Sequence, residues 1–294
     1  MPILTLENNW LKASFKTLGA ELCSLIEKSA NTEHIWQADP AVWNRHAPVL
    51  FPIVGQVENS TYSVSGIEYK MSQHGFARDK EFTVELQTAD SIIFMIESNA
   101  EILKVYPYKF RLFITYTLNL NKLEINYKVV NTDSQKIFFS IGAHPGFVCP
   151  FTADESFSDY VLEFQKRETA SRLLFSAGLL NGEKHEEYLK DSASIPLSYE
   201  LFQNDAIILE GLKSDYVDLK SRKTGRSMRF NFKGFPLLAF WTKPGVNASF
   251  LCIEPWYGVA DAKGANKDFT EKAFIESLEI GEHFESLYSL MFIS

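Results

Sequence analysis

Apolar and polar residues alternate with a period of two along much of this chain. In LEINYKVV at 123–130, apolar side chains fall on one face, while Glu124, Asn126 and Lys128 fall on the other. The segment FRLFITYTL at 110–118 alternates in the same way, and a short NLNK link joins the two. Because two is the repeat of a half-buried strand, this stretch predicts an antiparallel hairpin.

Three further segments alternate and predict strands. They are EFTVEL at 81–86, with Phe82, Val84 and Leu86 on one face; TYSVSGIEYKM at 61–71, with a glycine turn at Ser65 and Gly66; and FESLYSLMF at 284–292, with Phe284, Tyr288, Leu290 and Phe292 on one face. The chain has 24 Phe residues, and Phe favours half-buried strands.

Helical patterns are scarce and short. DPAVWNRH at 39–46 and ADESFSDY at 153–160 each predict one turn, the first opened by Asp39 as N-cap. NGEKHEEYLKD at 181–191 is charged throughout and is interpreted as an exposed loop. Many strands and few short helices predict the all-β class, with one large antiparallel β-domain over residues 1–294.

Composition narrows the class of protein. The 294 residues are 46% hydrophobic, and the net charge of −8 argues against a general nucleic-acid binder. The start, MPILTLENNW, lacks the features of a secretory signal, and no apolar run is long enough for a membrane span. The three cysteines, Cys23, Cys149 and Cys252, are widely spaced, which favours reduced thiols in a cytoplasmic protein.

Three short segments place an ionisable residue among Gly, Pro or aromatic neighbours. They are QHGFARD at 73–79, GAHPGF at 142–147 and CIEPWYG at 252–258. Each borders an apolar or alternating stretch. We therefore expect each at the end of a strand, where a rigid scaffold can present a side chain into a cleft.

Glu254 lies in the apolar and aromatic run FLCIEPWYG. One interpretation is a desolvated carboxylate whose raised pKa suits a general base. The other is a buried acid that simply pairs with an arginine or a backbone N–H. Trp256 and Tyr257 beside it offer flat apolar surface with a polar edge.

His144 is the natural acid partner, because imidazole titrates near neutral pH. The alternative is a partly buried histidine with only a packing role. His74 is followed by Gly75 and can either hydrogen-bond a substrate or organise a local network of Arg78 and Asp79.

Other chemistries fit less well. The sequence has no His/Cys spacing typical of a zinc site, no G-x-S-x-G, no P-loop and no G-x-G-x-x-G. Two separated histidines and one glutamate give only weak support for a metal. A Glu base with a His acid fits proton transfer on a neutral substrate better than these alternatives.

Taken together, the segments resemble the aldose 1-epimerase (mutarotase) family, in its bacterial branch of galactose mutarotase-like proteins. The resemblance extends over most of the chain. Besides the three segments it includes LGAELCSL, the run IWQADPAVWNRHAPVLFPIVG and the strand after SLEIGEHF. It is the order and spacing of these motifs that makes the similarity specific.

The resemblance implies a β-supersandwich and a reaction without metal or cofactor. By analogy, Glu254 is the base that takes the proton of the C1 hydroxyl of a cyclic sugar, and His144 is the acid that protonates the ring oxygen. His74 then hydrogen-bonds the sugar and stabilises developing charge. Trp256 is a candidate for sugar binding because of its flat apolar surface with a polar edge.

Gln56 departs from the family pattern, because relatives commonly carry arginine after the glycine of the F-P-x-x-G run. Glutamine keeps hydrogen-bonding capacity but has no charge. Asp205 matches an acidic sugar-binding position of some relatives, or is a plain turn residue. Arg78 either contacts the ligand or pairs with Asp79, and the pair is favoured.

Anomer interconversion of a free aldose is the leading hypothesis. The first alternative is a hexose-6-phosphate 1-epimerase, whose phosphate would need cations such as Arg45, Arg78 and Lys243. The second is a sugar-binding or sensing protein without turnover, which Gln56 keeps open. The expected partner is a small sugar, and the sequence allows a monomer or a homodimer.

Overall fold

The computed structural model describes residues 3–176 and 178–293. The strands of the first half are β1 (Ile3–Glu7), β2 (Leu11–Lys16), β3 (Leu22–Glu27), β4 (Thr32–Glu33), β5 (Val49–Leu50), β6 (Thr61–Val64), β7 (Ile67–Lys70), β8 (Thr83–Gln87), β9 (Ser91–Glu97), β10 (Phe110–Asn119), β11 (Lys122–Asn131), β12 (Ile137–Phe139), β13 (Ile141–Ala143) and β14 (Gly146–Val148). Those of the second half are β15 (Tyr160–Ser176), β16 (Leu179–Pro196), β17 (Ile207–Glu210), β18 (Tyr216–Ser221), β19 (Ser227–Asn231), β20 (Leu237–Trp241), β21 (Phe250–Tyr257), β22 (Glu276–Leu278) and β23 (His283–Ile293).

Helical structure in the described residues is limited to short 3₁₀ turns. These are Glu58–Ser60, Ala77–Asp79, Ile102–Lys104, Phe157–Asp159, Tyr199–Phe202 and Phe269–Glu271. The predicted all-β class with few short helices is therefore confirmed. The chain around Asp39 makes a single turn, in which the Asp39 carboxylate accepts the N–H of Ala41 at 2.9 Å.

Most strands belong to one antiparallel sheet. Its 15 strands follow the order β5-β13-β21-β20-β17-β15-β18-β19-β23-β11-β10-β9-β8, with β14 paired to β21 and β16 paired to β15. A separate four-stranded sheet contains β1 to β4, and two small pairs are formed by β12 with β22 and by β6 with β7.

The strongest alternating segments form the centre of the core. Strands β10 and β11 make the predicted hairpin, with Ile114 opposite Tyr127. The predicted inward residues of β11, such as Ile125 and Val129, are fully buried. Strand β23 pairs with β11 and buries Leu290. The side chains on one face of each strand thus cover one another, which is the main source of stability in such a sheet.

Strand β8 departs from its predicted faces. Phe82 is buried, but Val84 and Leu86 are 39% and 50% exposed. Strand β8 is the last strand of the sheet, and its register against β9 shifts between Val84 and Leu86. All five residues of β8 are exposed, so neither face of this end strand packs on the core, and alternation does not predict burial there.

The interpretation of residues 181–191 as a loop is wrong, because this segment lies inside β16. Two of its acidic residues pair across the two-stranded arm formed by β15 and β16: Arg172 donates to Glu186 at 2.7 Å, and Arg167 donates to Asp191 at 2.8 Å. Leu189 between them is buried. Cross-strand ion pairs allow a charged sequence to form a strand.

The three cysteines are buried and free. Among the described residues, no helix has the length and apolar character needed to cross a membrane. The single domain over residues 1–294 stays a prediction.

Candidate active site

The GAHPGF and CIEPWYG segments lie side by side in the main sheet. Strands β13 and β14 both pair with β21, and His144 belongs to the short turn between them. The register places His144 opposite Glu254, because the flanking cross-strand pairs are Gly142 with Trp256 and Gly146 with Cys252. The Nε2 atom of His144 is 3.3 Å from the Oε2 atom of Glu254. The two predicted acid–base residues are therefore direct neighbours.

Two glycines make room for aromatic rings around His144. A Cβ atom on Gly142 would lie 2.7 Å from Cδ1 of Trp256, and one on Gly146 would lie 2.8 Å from Cζ3 of Trp43. Both distances are too short for carbon atoms in van der Waals contact, so any larger residue would displace an indole ring. The ring of Trp43 stacks on His144 at a centroid distance of 5.0 Å. The small residues beside His144 thus allow tryptophans to enclose it.

His74 of the QHGFARD segment is held by the backbone of Gly55. The Gly55 N–H donates to Nδ1 of His74 at 3.1 Å, and the N–H of His74 donates to the Gly55 carbonyl at 2.8 Å. Because Nδ1 accepts, the proton of the neutral imidazole belongs on Nε2. The ring meets that of His144 edge to face at 5.6 Å. His74 is therefore oriented as a hydrogen-bond donor.

Gly75 fixes the position of the histidine before it. Its φ is +74°, and a Cβ atom there would lie 2.2 Å from the carbonyl oxygen of Phe51. Gly75→Ala is expected to lower the free energy of unfolding by roughly 2–4 kcal/mol, because left-handed backbone strain and a steric clash add up. Urea unfolding measures the loss.

Gly66 provides the matched control. Its φ of +78° is similar, but no atom lies within 4 Å of the added Cβ position. Gly66→Ala should therefore lose only the backbone part, about 1–2 kcal/mol. Equal losses in the two variants would show that the contact with Phe51 carries no cost.

The side chains of the three segments line one cavity of about 570 Å³. This volume lies within the range of roughly 300–1,000 Å³ that small-molecule sites occupy. Of the seven predicted site residues, the cavity brings together Glu254, His144, His74, Arg78, Asp205 and Trp256.

Gln56 is the predicted residue outside this lining in the described part of the chain, although its neighbour Gly55 belongs to it. The Gln56 side chain turns towards the tip of the β15–β16 hairpin. Its Oε1 lies 2.7 Å from the position that a Cβ on Gly178 would take. Gln56 therefore borders the hairpin whose residues Phe175 and Gly178 line the cavity.

Glu254 is a desolvated carboxylate. The residue is 1% exposed, and its Oε2 has no hydrogen-bond partner among the described residues. Burial raises the pKa of Glu254 well above its ordinary value, and the negative charge of Asp205 raises it further, against the Trp256 indole, which lowers it. This environment matches the first interpretation of the sequence, a basic carboxylate, more closely than a carboxylate held by an arginine.

His144 experiences the opposite shift. Burial lowers its pKa below the ordinary value of 6.5, and the cation of Arg78 lowers it further, against a backbone hydrogen bond that raises it. Burial thus disfavours the charged forms of both His144 and Glu254, so one proton shared by the two is the favoured state of the pair.

Arg78 lines the cavity and is only loosely paired with Asp79. Its Nη2 donates to the carbonyl of Gln73 at 2.7 Å, whereas its Nε is 3.8 Å from Asp79. The closer partner of Asp79 is Arg45, at 2.8 Å. The Nε of Arg78 is buried without a hydrogen-bond partner in the described part of the chain. The geometry therefore gives Arg78 a free donor beside the cavity.

Asp205 occupies a turn with a left-handed backbone, at a φ of +89°. One of its carboxylate oxygens accepts the N–H of Ala206 at 2.9 Å. Asp205 is thus both a turn residue and part of the cavity wall. Its position fits a structural role in the turn and a role in binding a ligand.

Part of the cavity wall has no counterpart among the predicted residues. Trp43 and Trp241 flank His144, with the ring of Trp241 edge-on at 5.6 Å. Phe175 and Gly178 reach the cavity from the β15–β16 hairpin. Trp43 could have been found from the sequence, because it is an aromatic residue in a polar turn. The hairpin could not, because its charged residues favour a loop.

A third residue with a metal-binding side chain adjoins the pair. The ligand atoms of His144, Cys252 and Glu254 all lie within 4.8 Å of one another. Cys252 and Glu254 are two residues apart in β21, so their side chains leave the strand on the same face. The sequence search for paired histidines or cysteines had no means of finding a trio completed across strands.

A sequence profile described as aldose 1-epimerase matches residues 2–268 of the chain. The plasmid-encoded protein LacX of Lactococcus lactis subsp. lactis is 39% identical over 265 residues, which cover 87% of this chain and 88% of LacX.

Two solved structures share the whole architecture. A galactose mutarotase related enzyme from Lactobacillus acidophilus superposes with a TM-score of 0.96 at 36% identity, covering 100% of this chain and 98% of that one. A galactose mutarotase-like protein from Lactobacillus casei gives a TM-score of 0.94 at 32% identity, covering 99% and 100%. The predicted galactose mutarotase-like β-supersandwich is thereby confirmed.

Proposed function

Because this chain belongs to the aldose 1-epimerase family, we propose that it interconverts the α and β anomers of a free hexose by acid–base catalysis. The observation that carries the proposal is the distance of 3.3 Å between His144 Nε2 and Glu254 Oε2. Both residues line the same cavity, where a pyranose can place its anomeric centre against them.

The proposed reaction needs one proton acceptor and one proton donor. Glu254 takes the proton of the C1 hydroxyl, and His144 gives a proton to the ring oxygen. The C1–O5 bond breaks as the C1 carbonyl forms, the aldehyde rotates about the C1–C2 bond, and the reverse transfers close the ring as the other anomer. Positioned acids and bases of this kind each contribute about 10²–10⁴-fold to a rate.

The proton balance of the pair fits these steps. Reaction of the cyclic sugar requires the form with ionised Glu254 and protonated His144, and ring opening leaves protonated Glu254 and neutral His144. The two forms contain the same single proton. Because burial raises the pKa of Glu254 and lowers that of His144, the form present with the open sugar is favoured by its surroundings. Ring opening therefore converts a buried ion pair into two neutral side chains.

The remaining donors suit a sugar. His74 offers its Nε2–H, and burial keeps its pKa well below the ordinary value, so it stays neutral. The Nε of Arg78 and the Nε1 of Trp256 are buried without hydrogen-bond partners in the described residues. Buried donors without partners are costly, and hydroxyl oxygens of a bound hexose can satisfy them.

The rate of anomer exchange should depend on pH with two limbs. On the acid side a second proton enters the pair, and since the pKa of His144 is lowered from 6.5, this limb should lie below pH 6.5. On the alkaline side the pair loses its only proton, at a pH well above the ordinary pKa of 4.5 for glutamate. Polarimetry corrected for the uncatalysed rate gives the profile. An acid limb centred above pH 6.5 would contradict the assignment.

The function itself is tested by following the exchange of freshly dissolved anomers of galactose, glucose and other aldoses by polarimetry or NMR. Acceleration of at least one free aldose supports the proposal. Sugar binding without acceleration of any aldose or sugar phosphate would favour the non-catalytic binding protein instead. The proposal includes a cytoplasmic location, which the buried, free cysteines support.

A hexose 6-phosphate is the second candidate substrate, and one observation favours it. Arg78 and Lys243 both belong to the wall of the cavity, whereas Arg45, the third candidate cation, pairs with Asp79. Two cations at one cavity can bind a phosphate group. Exchange of glucose 6-phosphate or galactose 6-phosphate in the absence of exchange of the free sugars would select this function.

A further inference from the structure

Cys252 adjoins the proposed acid–base pair but has no part in the proposed reaction. We propose that Cys252, His144 and Glu254 form a binding site for a thiophilic divalent cation such as Zn²⁺, and that occupation of the site stops catalysis. The inhibition rests on the proposed function, because it requires Glu254 and His144 to be the catalytic residues. The binding of the ion does not depend on that function.

The spacing of the three side chains suits a tetrahedral ion. Bonds of about 2.0–2.3 Å from zinc to nitrogen, oxygen and sulfur place tetrahedral ligand atoms roughly 3.3–3.8 Å apart. The His144 and Glu254 atoms are 3.3 Å apart, and every pair of ligand atoms in the trio is within 4.8 Å. Side-chain rotations that move the ligand atoms by up to about one ångström would bring all three to the spacing that a tetrahedral ion requires.

The ligand atoms are available for a metal. Oε2 of Glu254, the atom that lies 3.3 Å from Nε2 of His144, has no hydrogen-bond partner in the described residues. Glu254 is 1% exposed, so its unpartnered oxygen is aimed into the protein and not into bulk solvent. A metal ion would satisfy this oxygen together with the imidazole.

The donor set favours a borderline-soft ion. A thiolate, an imidazole and a carboxylate are the ligands that Zn²⁺ takes in proteins, and three protein ligands leave a fourth position for water. Cys252 is fully buried, whereas Glu254 and His144 line the cavity. An ion can therefore enter through the cavity and reach the thiol between the two other ligands.

Binding would release protons and remove the catalytic pair. The Cys252 thiol gives up its proton, and the one proton shared by His144 and Glu254 also leaves, so two protons pass to solvent for each ion bound. The base is then a metal ligand, and the imidazole has no proton at the coordinating nitrogen. Neither residue can transfer a proton to a sugar.

The binding half is tested on the purified full-length protein, freed of metal and titrated with Zn²⁺ against a chromophoric chelator. We expect one ion per chain. Loss of an orienting neighbour of a metal ligand weakens binding about 10–100-fold, so loss of the ligand itself in Cys252→Ala or Cys252→Ser should weaken it by at least roughly 100-fold. Cd²⁺ should also give a thiolate charge-transfer absorption that either variant abolishes.

Cys149→Ala is the matched control, because Cys149 is another fully buried free cysteine that does not belong to the trio. It should bind Zn²⁺ as the unaltered protein does. Absence of one-to-one binding at micromolar Zn²⁺, or equal affinity in both Cys252 variants, overturns the metal site. The use of two Cys252 variants and the Cd²⁺ absorption keeps the test decisive if one variant does not fold.

The inhibition half is tested by anomer exchange with and without Zn²⁺, each protein being compared with its own metal-free rate. Micromolar Zn²⁺ should slow the unaltered protein at least tenfold, with recovery on adding EDTA. The Cys252 variants should need about 100-fold more Zn²⁺ for the same loss. Stoichiometric binding with undiminished exchange would overturn inhibition alone. Binding by a protein that exchanges no sugar would count against the proposed function and leave the metal site supported.

Discussion

Replacing Glu254 by glutamine is expected to slow anomer exchange about 10²–10⁴-fold while leaving the protein folded. Glutamine has nearly the same shape and removes only the capacity to accept the C1 hydroxyl proton. It also removes a buried ionisable group whose pKa is raised by burial, so the stability of the fold should not fall. NMR exchange spectroscopy and thermal unfolding of the same sample measure both quantities.

Glu168→Gln is a suitable control for this variant. Glu168 is also a fully buried glutamate, but its carboxylate accepts the backbone N–H groups of Lys213 and Ser214 at 3.0 and 2.7 Å. We expect this variant to lose stability and to keep its rate per folded molecule. An exchange rate in Glu254→Gln that equals the rate of the unaltered protein would refute the role of Glu254 as base.

Replacing His144 by alanine is expected to reduce the rate by a similar factor, about 10²–10⁴-fold, with a smaller effect on KM than on kcat. The ring oxygen then lacks its proton donor, while the binding groups of His74 and Arg78 remain. The ring of His144 also packs between Trp43 and Trp241, so some loss of stability accompanies the change. Rates are therefore compared only at temperatures where unfolding data show a folded protein.

His34→Ala separates the two effects. His34 is a buried histidine whose Nε2 is 3.3 Å from Glu27, and its ring stacks on Phe292 at 4.0 Å. It lies outside the cavity wall, so its removal should cost stability without a loss in kcat. A loss in kcat as large in His34→Ala as in His144→Ala would show that the effect at His144 comes from packing.

The sequence predicts best the strands in which buried and less buried side chains alternate strictly. β10 and β11 show this alternation, and each is hydrogen-bonded to a neighbouring strand at both of its edges. β8, at the end of the sheet, does not show it. The β15–β16 arm was missed because Arg167 and Arg172 find acidic partners on the opposite strand, and a single segment gives no information on its cross-strand partner.

Part of the candidate site can be predicted from the residues next to the ionisable side chains. Glycine and proline flank His144, and proline and aromatic residues follow Glu254. The glycines beside His144 allow the close packing of the tryptophan rings. The distance between the two side chains depends on the register of β13, β14 and β21, which no local pattern encodes. For the same reason Cys252 was predicted only as a reduced thiol, and its proximity to the pair emerged from the fold.

The strand pairing of β13 and β14 with β21, on both sides of His144, affects how such proteins can change during evolution. The separation of imidazole and carboxylate is set by hydrogen bonds between β13, β14 and β21. The opposite wall of the cavity comes from the tip of the β15–β16 hairpin and from residues 203–206. In the proposed function, changes in the hairpin alter the shape offered to a sugar without changing the distance between His144 and Glu254. Position 205 is different, because the charge of Asp205 also raises the pKa of Glu254. The hairpin is therefore the part of the wall where substrate preference can change without a change in the acid–base pair.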